Sequence, residues 1–188
     1  LEKSGKRDQT IVIFTSDHGF HLGEHDFWAK VSLRDESAKV PLIISVPGKK
    51  PGICDSFVEL LDLYPTLSSL CGLPKQDRLQ GKDISPMLDD PSYEVRKEAF
   101  SVAPMRTGFL LRNKQWAYIQ YGQNLPAQLK GGFEHGRNGI ELFEMEQDPH
   151  QFINLADTLK YQPVVQSFRK KLKEKFAAIR TNDLKKTQ

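Results

Sequence analysis

Residues 10–30 read TIVIFTSDHGFHLGEHDFWAK, and the fold class turns on how this stretch begins. Its opening, TIVIFT, is a continuous apolar, β-branched run, the pattern of a strand covered on both faces in a parallel sheet. Residues 40–46 (VPLIISV), closed by Pro47 and Gly48, form a second such run. The polar stretch 32–39 (SLRDESAK) between them reads as loop. Residues 62–70 (DLYPTLSSL) then predict a helix with Pro65 in its first turn and Gly72 as its stop. Strand, loop, strand, helix describes the edge of an α/β sheet.

The rhythm changes after a loop rich in Pro, Asp and Gly at residues 74–91. Residues 99–103, 107–112, 115–121 and 141–145 predict short strands, the middle two joined tightly at Asn113-Lys114. This is the pattern of an antiparallel sheet. Val165, Phe168, Leu172, Phe176 and Ile179 recur at helical spacing and give a final helix one apolar stripe to lay on it. Two parts are expected: residues 1–91 in an α/β core, and 92–188 as a small α+β unit of antiparallel sheet and terminal helix.

Composition bounds what these parts can do. The 188 residues are 38% apolar and 27% charged, and no apolar run approaches the roughly 20 residues of a membrane span. A net charge of +3 is gathered at the end, where residues 160–188 hold nine Lys or Arg against two acidic residues. That stripe could meet nucleic acid or an anionic polymer, but its helical spacing favours a solvated helix face, and no nucleic-acid partner is expected. Cys54 and Cys71 have no metal-type spacing and read as buried small apolar residues.

The chemistry concentrates just after the first strand. Asp17 and His18 follow it directly, where open α/β sheets assemble their sites, and Gly19 allows a sharp turn there. A carboxylate beside an imidazole suits a divalent cation. For a bare SDHG, a strand-capping Asp with a turn Gly is an equally good reading. The crowding of His21, Glu24, His25 and Lys30 into the same loop, anchored by Phe27 and Trp28, shifts the balance towards a site. A lysine held there beside a metal-binding carboxylate is placed to contact a tetrahedral anion.

Five landmarks in order then resemble the sulfatase family: residues 15–30, VPLIISVPG at 40–48, ELLDLYPTLSSLCGLP at 59–74, QGKDISPML at 80–88, and ELFEMEQDPHQFINLAD at 141–157. Among its branches the chain most resembles iduronate-2-sulfatases and their bacterial relatives, in which Asp-His-Gly is followed by Leu-Gly-Glu-His and Trp-x-Lys. The resemblance implies an alkaline-phosphatase-like mixed sheet, with this chain as the C-terminal portion of a longer protein. It makes Asp17 a calcium ligand, His18 a further group of the metal and sulfate site, and Lys30 a catalytic lysine that contacts substrate sulfate. His25 falls in the same motif as a catalytic candidate, with a structural hydrogen bond inside the loop as its alternative role. His21 is a candidate substrate contact, with simple packing as the alternative.

The departure from the family pattern carries as much as the match. Sulfatases use a formylglycine made in a Cys/Ser-x-Pro-x-Arg motif, and neither cysteine nor any serine of this sequence stands in one. The resemblance therefore implies that an N-terminal portion of the same protein supplies the nucleophile, and that this chain alone is inactive. A sulfated carbohydrate is the expected substrate, and export to the periplasm, the lysosome or the medium is in keeping with that. Two other readings stay open: a phosphodiesterase or phosphatase of the alkaline-phosphatase superfamily, using transition metals, and a noncatalytic glycan-binding module.

Overall fold

The computed structural model describes residues 1–103, 108–121 and 139–178. Strand β1 (Val12–Thr15) pairs with β2 (Leu42–Ser45), Val12 facing Ser45 and Thr15 facing Leu42. The pairing is antiparallel, where the apolar runs suggested parallel strands. Continuous apolar sequence reports that both faces need cover and is silent on strand direction. One face of the ribbon carries Val12, Phe14 and Ile43, which are 44%, 61% and 61% exposed.

Between these strands, helix α1 (Asp35–Ala38) makes one turn in the stretch that read as loop. Helix α2 (Leu63–Leu70) follows a 3-10 turn at Leu60–Asp62 and has Pro65 in its first turn, as expected. It stops at Gly72, whose φ of 66° few other residues adopt cheaply. Cys71 is exposed at that helix end and Cys54 is only half-buried, so neither is the core residue that composition suggested.

Asp62 fastens α2 to what surrounds it. Its carboxylate is buried and accepts the N–H groups of Glu59 and Lys82, both at 2.8 Å, and it pairs with the Arg96 guanidinium. Burial alone would raise its pKa, but the hydrogen bonds from Arg96, Lys82 and Glu59 outweigh it and hold the carboxyl below its usual range.

Strands β3 (Glu98–Val102), β4 (Gly108–Asn113), β5 (Trp116–Tyr121) and β6 (Ile140–Glu144) form an antiparallel sheet in chain order. Thr107, expected to open the second of these strands, lies outside the described residues. Asn113 builds the tight turn between β4 and β5 by accepting the N–H groups of Gln115 and Trp116. Helix α3 (Gln162–Ala178) covers one face, setting Val165, Phe168 and Leu172 against Leu111, Tyr118, Ile140 and Leu142. Phe176 meets the Phe109 ring edge-on at 4.7 Å, and Ile179 lies outside the described residues.

The basic residues of α3 are partly engaged in this docking. Lys171 pairs with Glu98 at 2.8 Å, and Lys175 lies over the Phe100 ring. The opposite face of the sheet, with Leu110, Ala117, Ile119 and Phe143, buries Leu33 and packs Ala38. The chain that leaves Lys30 is thus pressed onto a rigid sheet. Among the described residues no helix is long and apolar enough to cross a membrane.

Candidate functional site

Asp17 and His18 leave the end of β1, and Gly19 presses the chain against α1. A Cβ on Gly19 would stand 2.0 Å from the carbonyl oxygen of Glu36, and the Gly19 N–H donates to the Ser37 carbonyl at 2.9 Å. Close backbone approach, not a turn with positive φ, is what demands glycine at this position.

From there the chain makes a small closed loop. The His21 N–H donates to the Ala29 carbonyl at 2.9 Å and the Gly23 N–H to that of Phe27 at 3.2 Å. At its tip the Glu24 carboxylate accepts the Leu22 N–H at 2.6 Å, and this bond is the main cause of its lowered pKa. His25 and Asp26 both have left-handed backbones, with φ of 59° and 53°, each costing about 1–2 kcal/mol for a residue other than glycine. Strain of this kind persists only where the surroundings over-determine it, and it gathers at functional loops.

The return strand of the loop delivers Lys30 to the cleft that Asp17 and His18 line. The cleft is open, about 1710 Å³, and is bordered also by Val31, Leu42 and Arg112. The Asp17 side chain is 86% exposed to the same space.

The His18 ring has a definite orientation. Its Nδ1 lies 2.8 Å from the Gly19 carbonyl, which can only accept, so Nδ1 bears the proton. The neutral ring then offers the Nε2 lone pair, 3.7 Å from Asp17 Oδ2. Two donor atoms at that separation can reach one cation at the usual ligand distances of about 2.0–2.6 Å. Among the described residues no group of three or more His, Cys, Asp or Glu is placed to hold a metal ion, so Asp17 and His18 could make up only part of a metal's ligand set.

The remaining two histidines lie behind the loop. His21 is fully buried and meets the Phe27 ring edge-on at 5.2 Å; neither it nor His25 borders the cleft. The His25 side chain is 4% exposed, with Nε2 3.7 Å from Glu36 Oε1 and its ring 4.7 Å from that of Phe152. Burial lowers the pKa of both rings, and the nearby Arg34 guanidinium pushes that of His25 further down. Asp17, His18 and Lys30 thus all border the open cleft, while His21 and His25 lie buried behind the loop.

Residues that the sequence did not single out complete that layer. Arg34 and Glu141 are buried and paired at 3.2 Å, and the buried Gln151 side chain accepts the Asp35 N–H at 2.7 Å. A usable signal was present: Glu141 stands inside an apolar strand whose neighbours are buried on both faces.

Residues 23–178 match the family described as N-sulphoglucosamine sulphohydrolase, C-terminal. Over 167 residues the chain is 33% identical to arylsulfatase K of Danio rerio, covering 83% of this chain and 29% of that protein. It therefore spans about three tenths of the length of such relatives. Among solved structures, a 2-O GAG sulfatase superposes with a TM-score of 0.71 at 25% identity, covering 93% of this chain and 39% of the other. A phosphonate monoester hydrolase of Agrobacterium radiobacter superposes with a TM-score of 0.75, also at 25% identity, over 95% of this chain and 37% of the other.

Proposed function

Because this chain belongs to the sulfatase family, we propose that it furnishes part of a sulfate-ester hydrolysis site within a longer protein. The observation that carries this reading is that Asp17 and His18 Nε2, 3.7 Å apart, border the same open cleft as Lys30. Asp17 and His18 would hold a calcium ion, whose charge would polarise a sulfate oxygen. An Asp oxygen beside a neutral imidazole lone pair fits such a role, and the ligands still required would come from other parts of the protein.

Lys30 binds the sulfate. An ammonium carries three donors and no acceptor, so it suits a tetrahedral anion whose oxygens only accept. Its fixed charge stays complementary as negative charge shifts onto those oxygens during sulfur–oxygen cleavage. His25 and His21 act through the loop that presents Lys30. With no Cys/Ser-x-Pro-x-Arg motif in these 188 residues, the formylglycine nucleophile would be supplied by the rest of the protein, and the chain alone would be inactive. A sulfated sugar is the substrate class we favour, supported by the likeness to a 2-O GAG sulfatase.

The likeness to a phosphonate monoester hydrolase favours one alternative, a phosphoryl-type esterase on the same scaffold. Assay of the full-length protein with an aryl sulfate and an aryl phosphonate monoester, together with metal analysis, separates the two. Calcium and preferential sulfate turnover are expected. A transition metal with preferential phosphonate turnover would replace the sulfatase reading. The 188-residue chain assayed by itself should give no aryl sulfate turnover above a denatured control, and calorimetry should show only weak calcium binding.

A further inference from the structure

Arg34 lies four positions beyond Lys30 and immediately before α1. It is 3% exposed, and a guanidinium so placed must find partners. Its Nη2 reaches Glu141 Oε1 on β6 at 3.2 Å, its Nη1 donates to the Gln151 carbonyl, and its plane sits 4.8 Å from the Phe143 ring centre. Gln151 holds a left-handed backbone, φ 58°, while its side-chain oxygen accepts the Asp35 N–H. One residue thus grips Arg34 with its main chain and the start of α1 with its side chain.

The same Nη1 lies 3.0 Å from His25 Nδ1. A guanidinium only donates, so Nδ1 is the acceptor and the His25 proton sits on Nε2, towards Glu36. Glu36 belongs to α1, whose backbone bears on Gly19 and, through it, on the segment carrying His18. Glu141, Arg34 and His25 therefore form a buried hydrogen-bonded chain from the four-stranded sheet into the loop that presents Lys30, with the Glu36 carboxylate 3.7 Å from its far end.

We propose that Arg34 is a positioning residue of the sulfate site: anchored by Glu141 and Gln151, it fixes the His25 ring and α1 and so sets where His18 and Lys30 stand in the cleft. This rests on the sulfatase reading of His18 and Lys30. A four-residue connection with an ordinary loop on a sheet would need no such chain, whereas a loop containing two left-handed non-glycine residues must be held from outside.

The test uses the full-length protein with Arg34→Lys, Glu141→Gln, and the paired change Arg34→Met with Glu141→Leu, which exchanges the buried ion pair for apolar packing. Phe168→Ala is the control, since Phe168 packs between α3 and the sheet, away from the cleft. Melting temperature, kcat and KM for an aryl sulfate, and hydrogen exchange over residues 18–30 are measured for each. Arg34→Lys and Glu141→Gln are expected to lower kcat at least tenfold and to speed exchange across 18–30. Phe168→Ala should lower the melting temperature as much while changing kcat less than twofold. The paired variant should regain melting temperature and stay impaired in kcat, which covers the case in which a single variant fails to fold. Wild-type kcat in the paired variant, or unchanged exchange over 18–30 in every Arg34 and Glu141 variant, overturns the proposal. Should the wild-type protein turn over no sulfate ester, the sulfatase reading falls, and the exchange measurement alone decides whether Arg34 positions the loop.

Discussion

Replacing Gly19 by alanine tests whether close backbone contact, and not turn geometry, holds the site segment in place. The added Cβ would meet the Glu36 carbonyl oxygen at 2.0 Å and its carbon at 3.0 Å. Both are backbone atoms, so no side chain can swing aside. Relief requires the Gly19 segment and α1 to separate by roughly 1 Å or more, which also breaks the 2.9 Å bond from the Gly19 N–H to Ser37. Overpacking costs about 1–3 kcal/mol and the lost hydrogen bond about 1 kcal/mol, giving a loss of about 2–4 kcal/mol. Gly72→Ala is the matched comparison, because Gly72 has φ 66° and no heavy atom within 4 Å of the added Cβ, so only its backbone conformation is penalised, by about 1 kcal/mol. Urea unfolding of the two variants gives the difference directly. In the full-length enzyme a displacement of about 1 Å at His18 should also cut turnover about 10²-fold, whereas Gly72→Ala should leave it unchanged. If Gly19→Ala unfolds at the same urea concentration as Gly72→Ala, the contact with Glu36 is not what requires glycine.

Three further outcomes are expected. Lys30→Ala in the full-length protein should lower turnover about 10²–10³-fold with unchanged melting temperature, and Lys30→Arg should rescue little; wild-type kinetics for Lys30→Ala would remove it from the site. His21 and His25 are held below their ordinary pKa, so the unfolded chain binds more protons below about pH 6.5, and stability should fall with pH by up to about 1.4 kcal/mol per unit for each ring. Stability measured from pH 7.5 to 5 should show that loss, and a flat profile in His21→Phe with His25→Phe would assign it to these rings. Asp62→Asn should cost about 3 kcal/mol by taking from the buried Arg96 its hydrogen-bonded carboxylate and leaving it only Glu59 at 3.7 Å, against under about 0.5 kcal/mol for Arg7→Ala at an exposed pair; equal denaturation midpoints for the two would contradict this account.

How far the fold could be read in advance depended on how local its causes are. The four strands of the second sheet, the Asn113 turn and the α3 stripe were legible because short strand-forming runs, turn chemistry and helical spacing each act within a few residues. The direction in which β1 and β2 pair was not, since a run such as IVIF says only that neither face tolerates water. Helix α1 was missed because three polar residues and an alanine carry no periodicity, and it and the preceding Arg34 are held by contacts 107 to 117 positions away.

The candidate site divides along the same line. Asp17, His18 and Lys30 could be named from sequence because a strand end, a short loop and a recognisable motif bring them close along the chain, and all three border one open cleft. His21 and His25 sit in the same motif and still turn inward, and their neighbours show why. Phe27 and Phe152 offer them rings, and Arg34 and Glu36 offer charges, none of which spacing within the loop can reveal. A histidine in a catalytic motif can therefore serve either at the substrate or as the part that keeps a strained loop closed. In the arrangement we propose, residues such as Glu141 and Gln151, more than a hundred positions along the chain, decide which of the two it does. Because Arg34 bonds both Glu141 and the His25 ring, a change at Glu141 should be felt at Lys30 even though the two never touch.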